Sequence, residues 1–195
     1  MTHPSNITFE SIKSEFVRNA FLKAYAPYKI LDPHPIIVRR KPVSDTTMRA
    51  QPVINFDFWN RKKRHYRIDI SNHTELEQHV PIPDLPEEVL VGWFAHELGH
   101  IVDYQHRSAF GMIRFGLGYL LMPTFRIGAE RQADIYAIDR GFGNTLLATK
   151  TFILEQSTLP DHYKKRIQKY YMSPDEIATL LNEQDSDELK MDELI

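Results

Sequence analysis

Apolar residues recur along this chain with two different periods, and the stretches they mark outline an architecture. Phe9, Ile12, Phe16, Ala20 and Phe21 recur mostly every three or four residues, which predicts a packing helix capped by Thr8 and ending near Tyr25-Ala26-Pro27. Residues 35–40, 53–59 and 65–71 read as strands. In the latter two, Ile54/Phe56/Phe58 and Tyr66/Ile68/Ile70 alternate with polar neighbours as half-buried strands do. Together they predict a small antiparallel sheet. Periodicity is lost over 72–83, which leaves His73 and His79 as surface residues of an irregular stretch that could still approach a site. Asp84-Leu85-Pro86-Glu87 then has the form of a helix start, with an Asp to cap, Pro in the first turn and Glu three residues after the cap. The helix it opens, over about 85–106, carries Leu90, Phe94, Leu98, Ile101 and Val102 around most of its circumference and is expected to be buried nearly all round. Further helices follow over about 125–140, stopped by Gly141, and from a cap at Asn144 through about Gln156. Asp161 opens another with Tyr163, Ile167 and Tyr170, and Ser173-x-x-Glu176 opens a short one to about Leu181.

Composition fits a single α+β domain. At 195 residues, 42% hydrophobic and 26% charged, the chain can bury a sizeable core, so 1–182 reads as one domain and the acidic stretch 183–195 as a mobile tail. The net charge of −2 supplies no global drive toward nucleic acid or an anionic membrane. The short basic run Asn60-Arg61-Lys62-Lys63-Arg64 admits a nucleic-acid reading, but a solvated hairpin end is the simpler one. The absence of cysteine excludes disulfides, thiolate metal sites and thiol nucleophiles, leaving His and carboxylates as ligands. The polar first ten residues lack the layout of a secretory signal, which points to the cytoplasm. Residues 108–125 are apolar but interrupted by three glycines and Arg114, too short for a transmembrane helix. Core packing is the first expectation there, and peripheral membrane contact the second.

The buried helix also carries His96, Glu97, His100 and Asp103. On a wheel of about 100° per residue, His96, His100 and Asp103 fall within about 60° of one another, with Glu97 alongside. Burying such groups unpaired costs several kcal/mol, and a divalent metal would satisfy them. His96-Glu97-Leu98-Gly99-His100 is an H-E-x-x-H motif: two imidazoles one turn apart can ligate a Zn²⁺, while Glu97 faces the open position as general base toward a carbonyl-attacking water. A third protein ligand is needed, and Glu130 is the first choice. Asp134, on the same helix face four residues later, would accept the other N–H of a ligating histidine.

With H-E-x-x-H on one helix and Glu130-x-x-x-Asp134 on the next, the sequence resembles the gluzincin zinc metallopeptidases. Ala129-Glu130-Arg131-Gln132-Ala133-Asp134-Ile135-Tyr136-Ala137 is similar to the Glu-x-x-Ala-Asp signature of the CAAX-prenyl-protease and heat-shock-type membrane endopeptidases and of their small soluble relatives, the minigluzincins. The resemblance covers His96 to about Gly141 closely, without the transmembrane helices of the membrane members. It implies a zincin-like fold in which an edge strand before the active helix pairs with substrate backbone, and residues 65–71 are the candidate strand. His96, His100, Asp103 and His106 also have the spacing of the metzincin motif, with Met122 or Met172 for a methionine turn. Asp103, however, stands where that family has the glycine that swings the third histidine back. Asp103 is therefore expected to support the ligands rather than to turn the chain. An oxyanion-stabilising donor is expected among His162, Tyr163, Arg166, Tyr170 and Tyr171. The expected activity is zinc-dependent hydrolysis of a peptide or protein substrate. The alternatives are a non-catalytic zinc-stabilised interaction protein, or a metzincin-like peptidase using His106.

Overall fold

The computed structural model describes residues 4–41, 46–71, 81–155 and 159–192; His73 and His79 lie outside them. Its first element corrects the expected N-terminal helix. Ile7–Glu10 is a strand, β1, and the helix α1, Glu15–Tyr25, begins only after Ser14, whose Oγ accepts from Val17 N at 3.4 Å. Phe9 and Ile12 match a helical spacing by coincidence: Ile7 and Phe9 point from one strand, and the chain turns at Ser11 with φ 57°.

Three further strands complete one sheet: β2 at Ile36–Arg40, β3 at Met48–Pro52 and β4 at Tyr66–Ile70, in the order β1-β2-β4-β3. The sheet is mixed, not antiparallel. Only β3 and β4 run antiparallel, while β1–β2 and β2–β4 are parallel because α1 and the 41–65 excursion act as crossovers. Of the expected strand over 53–59, Phe56–Trp59 is instead a 3-10 turn with Phe58 buried, and the strand lies earlier, at β3. β4 is consequently interior, and the edge beside the long helix belongs to β3.

That helix, α2, spans Glu87–Gln105, and every residue from Val89 to Gln105 is buried. Ile82–Asp84 forms a 3-10 turn before it; Asp84 does not cap, and Pro86 precedes the first helical residue with no side-chain cap. The later helices are α3 at Ala109–Leu121, capped by Ser108, then α4 at Pro123–Ala137, α5 at Gly143–Glu155, α6 at Asp161–Tyr170 and α7 at Pro174–Asp192. Of these, α4 and α5 pack around α2, as do α1 and β3. Phe21 of α1 meets Phe94 edge-on, ring centroids 5.4 Å apart. Gly141 takes φ 82° in the wide turn between α4 and α5, a conformation open to glycine. Ser173 and Glu176 form the full capping box, Ser173 N donating to Glu176 Oε2 at 2.8 Å and Glu176 N to Ser173 Oγ at 3.2 Å. The helix it opens continues past Leu181 through most of the acidic stretch. Among the described residues, no helix is long and apolar enough to cross a membrane.

The basic run 60–64 divides. Arg61, Lys62 and Lys63 are exposed, but Arg64 is fully buried, donating to Phe58 O at 3.1 Å and to Tyr104 O and Arg107 O at 3.0 and 3.2 Å. It satisfies carbonyls at the C-terminal end of α2, where a cation also meets the negative pole of the helix.

Candidate metal centre

The centre exists because α2 and α4 approach unusually closely. A Cβ built on Gly99 would stand 2.4 Å from the carbonyl oxygen of Ala133, so the glycine of the H-E-x-x-H segment and the alanine of the second motif make the contact possible. Across it, one helix presents His96 and His100 and the other Glu130 and Asp134, each pair one turn apart. The Nε2 atoms of His96 and His100 lie 3.1 and 3.2 Å from the same oxygen, Glu130 Oε2. All three residues are buried, and their ligand atoms lie within 4.8 Å of one another. Ligands held at about 2.0–2.1 Å around a tetrahedral ion stand roughly 3.3 Å apart, so two imidazoles and a carboxylate so placed can hold a metal ion.

The surrounding groups prepare the ligands for that task. His96 Nδ1 donates to Asp134 Oδ1 at 2.7 Å, which aims Nε2 at Glu130. Asp134 is fully buried and further held by Lys150 Nζ at 3.1 Å and Met172 N at 3.1 Å. Burial disfavours the His96 cation, but the carboxylates of Asp134 and Glu130 outweigh it and push the imidazole up to about 9. Burial likewise works to raise Glu130 and Asp134, yet the imidazoles hold Glu130 well below the usual carboxylate range, and Lys150 with His96 lowers Asp134. Tyr119 of α3 donates its hydroxyl to Glu130 Oε1. His100 Nδ1 is buried with no hydrogen-bond partner among the described residues.

Glu97 differs from the other two carboxylates. Burial raises it, and the neighbouring imidazoles only partly compensate, so its proton affinity lies above that of an ordinary carboxylate. Its Oε2 accepts Ala50 N from β3 at 2.6 Å, and the Ala50 carbonyl accepts the Tyr104 hydroxyl at 3.3 Å. Ala50 therefore directs both backbone groups away from β4 and toward the site. Between β3 and α3 opens a cleft of about 470 Å³, with Glu97, His100 and Glu130 at its base and Phe115 and Tyr119 on one wall.

His96, Glu97, His100, Glu130 and Asp134 converge. Asp103 does not join them: its carboxylate pairs with Arg107 at 2.9 Å. His106 is exposed at the end of α2, its ring stacked on Tyr136 at 6.3 Å, outside the ligand group. Of the five oxyanion candidates, Tyr171 lines the cleft and faces the His96 ring at 5.4 Å. Tyr170 lies under the Arg126 guanidinium, Tyr163 bonds Thr47, Arg166 lies over the Tyr163 ring, and His162 is exposed. Sequence reasoning missed Tyr119, Lys150 and the backbone of Ala50. Lys150 left a signal, a lone cation in the apolar run Leu146–Ile153, whereas Tyr119 is hidden among apolar neighbours and a backbone N–H leaves none.

No family model, no curated protein and no solved structure matches the chain. The α+β architecture and the buried His96–His100–Glu130 group accordingly stand on the chain's own geometry.

Proposed function

We propose that this protein is a zinc metallopeptidase of the gluzincin type, with His96, His100 and Glu130 as ligands and Glu97 as general base. One observation carries the reading: the third buried carboxylate on this cluster, Glu97, is left out of the ligand group and is held at the base of an open cleft with raised proton affinity. A structural site has no use for such a group, whereas a hydrolytic one requires it. Bound zinc supplies Lewis-acid polarisation of a peptide carbonyl and acidifies the attacking water. Ala50 N–H fixes one oxygen of Glu97 and leaves the other to take the proton of that water and pass it to the leaving amine. Asp134 and Tyr119 orient His96 and Glu130. The edge-strand role passes from residues 65–71 to β3. A peptide adding there must exchange its own N–H for the Tyr104 hydroxyl at the Ala50 carbonyl.

Metal analysis with a peptide-library digest tests this. Wild type is expected to carry zinc and cleave. Glu97→Gln keeps the metal and loses about 10²–10⁴ in rate, Glu130→Ala loses the metal, and His106→Ala keeps both. Undiminished cleavage by Glu97→Gln would overturn the mechanism. Zinc bound with no cleavage of any library peptide favours the non-catalytic zinc-stabilised interaction protein.

A further inference from the structure

The helix α3 is apolar on both sides. Met112 and Phe115 face the core, yet Phe110, Ile113, Leu117, Leu120 and Leu121 are exposed, Phe110 at 77% and Leu120 at 81%. On a wheel these five fall within about 100°, directly opposite the buried pair. A helix apolar all round is ordinarily buried all round, so the outer stripe calls for a cover. It does not stand alone. The Trp59 ring, 61% exposed, packs on Phe110 with centroids 6.0 Å apart, and Phe56 on the same turn is 100% exposed.

The rim of this patch is predominantly basic. The exposed cations Arg61, Lys62 and Lys63 follow Trp59, and Arg114 stands exposed beside the apolar stripe. No Asp or Glu occurs between Asp103 and Glu130, nor between Asp57 and Asp69. The nearest acids are engaged, Asp103 with Arg107 and Asp57 with His65. In a chain of net charge −2, that is a local concentration of cations around exposed aromatic and aliphatic side chains.

We infer that α3 and the 56–63 turn form a docking surface for an anionic lipid bilayer, with Phe56, Trp59, Phe110, Leu117 and Leu121 entering the headgroup boundary and Arg61, Lys62, Lys63 and Arg114 meeting lipid phosphates. Apolar penetration beside basic side chains is the chemistry by which proteins lie on such membranes, with Trp suited to the boundary. A second copy of the chain is a poorer occupant, because a two-fold contact of this patch with itself brings its cations together. The surface adjoins the cleft: Met112, Phe115, Gly116 and Leu120 line the cleft from the same helix. Docking on α3 therefore presents the cleft to polypeptide at the membrane surface.

The test is co-sedimentation of the 195-residue chain with phosphatidylcholine vesicles, with and without phosphatidylglycerol, at two salt concentrations. Wild type is expected to partition onto the anionic vesicles and to leave them at high salt. Lys62→Ala and Lys63→Ala are expected to weaken binding about fivefold each. Phe110→Ser combined with Leu121→Ser is expected to weaken it more than about tenfold, with circular dichroism confirming the fold. Absence of wild-type binding, or binding indifferent to the Phe110/Leu121 pair, overturns the inference. So does a concentration-dependent dimer dissolved by that pair, which assigns the patch to a second copy. Glu97→Gln should bind vesicles like wild type, so failure of the lipid test and failure of the peptidase reading are separate results.

Discussion

His96 stands between two carboxylates with different relations to it. Asp134 receives its Nδ1–H, while Glu130 faces its Nε2 together with that of His100. In the metal-free protein this is a proton store. Its folded value of about 9 lies above the ordinary 6.5, so the His96 cation contributes stability that is complete below about pH 6.5 and is lost as pH rises through about 9. A metal ion must displace that proton, so affinity for zinc should rise with pH across the same window. Calorimetric titration at pH 7 in two buffers of different ionisation heat is expected to show about one proton released per ion from this site. Asp134→Asn removes the largest charge favouring the cation and should reduce the release. Proton-neutral binding by wild type would show that His96 is not a ligand.

Between α2 and α4 the spacing is set by small residues, and here packing and chemistry are one matter. Gly99→Ala puts a methyl group 2.4 Å from the Ala133 carbonyl, against backbone that cannot rotate away. The helices must separate, and Glu130 moves off the two imidazoles. Thermal unfolding is expected to show a loss of about 3 kcal/mol, the upper part of the usual range for over-packing, with weaker zinc binding. Gly128→Ala, on the same α4 but with nothing within 4 Å, serves as the control and should be neutral or slightly stabilising. What the sequence made legible at this scale was what local pattern encodes: the long apolar helix, the two motif pairs at one-turn spacing, the Ser173 capping box and the stop at Gly141. What it hid depends on distant partners. Met48-Arg49-Ala50-Gln51-Pro52 contains few strand-forming residues and becomes β3 through pairing with β4. The parallel pairings follow from how α1 and the 41–65 excursion cross the sheet, which periodicity does not record. Arg64 looks like its basic neighbours until the end of α2 supplies carbonyls for it.

At the scale of the whole molecule, α2 is enclosed by α1, α4, α5 and β3, and Phe94, Leu98, Ile101 and Val102 are buried among these elements, away from the ligand group. The core is therefore expected to stand when the metal is removed, which separates a catalytic site from a structural one, since structural zinc domains unfold as apo-proteins. After chelation the protein should keep its helical circular dichroism and one cooperative thermal transition. Adding zinc to about 100 times its dissociation constant should contribute about 2.7 kcal/mol, a rise in midpoint of about 5–10 °C for a chain of this size. An ion held by His96, His100 and Glu130 would join α2 to α4, two helices already in contact, so its contribution would add to an existing interface rather than create one. A chelated protein that loses its helical signal and regains it with zinc would reverse the assignment: the His96–His100–Glu130 group would then be holding the fold together, and the cleft beside Glu97 would be incidental to it.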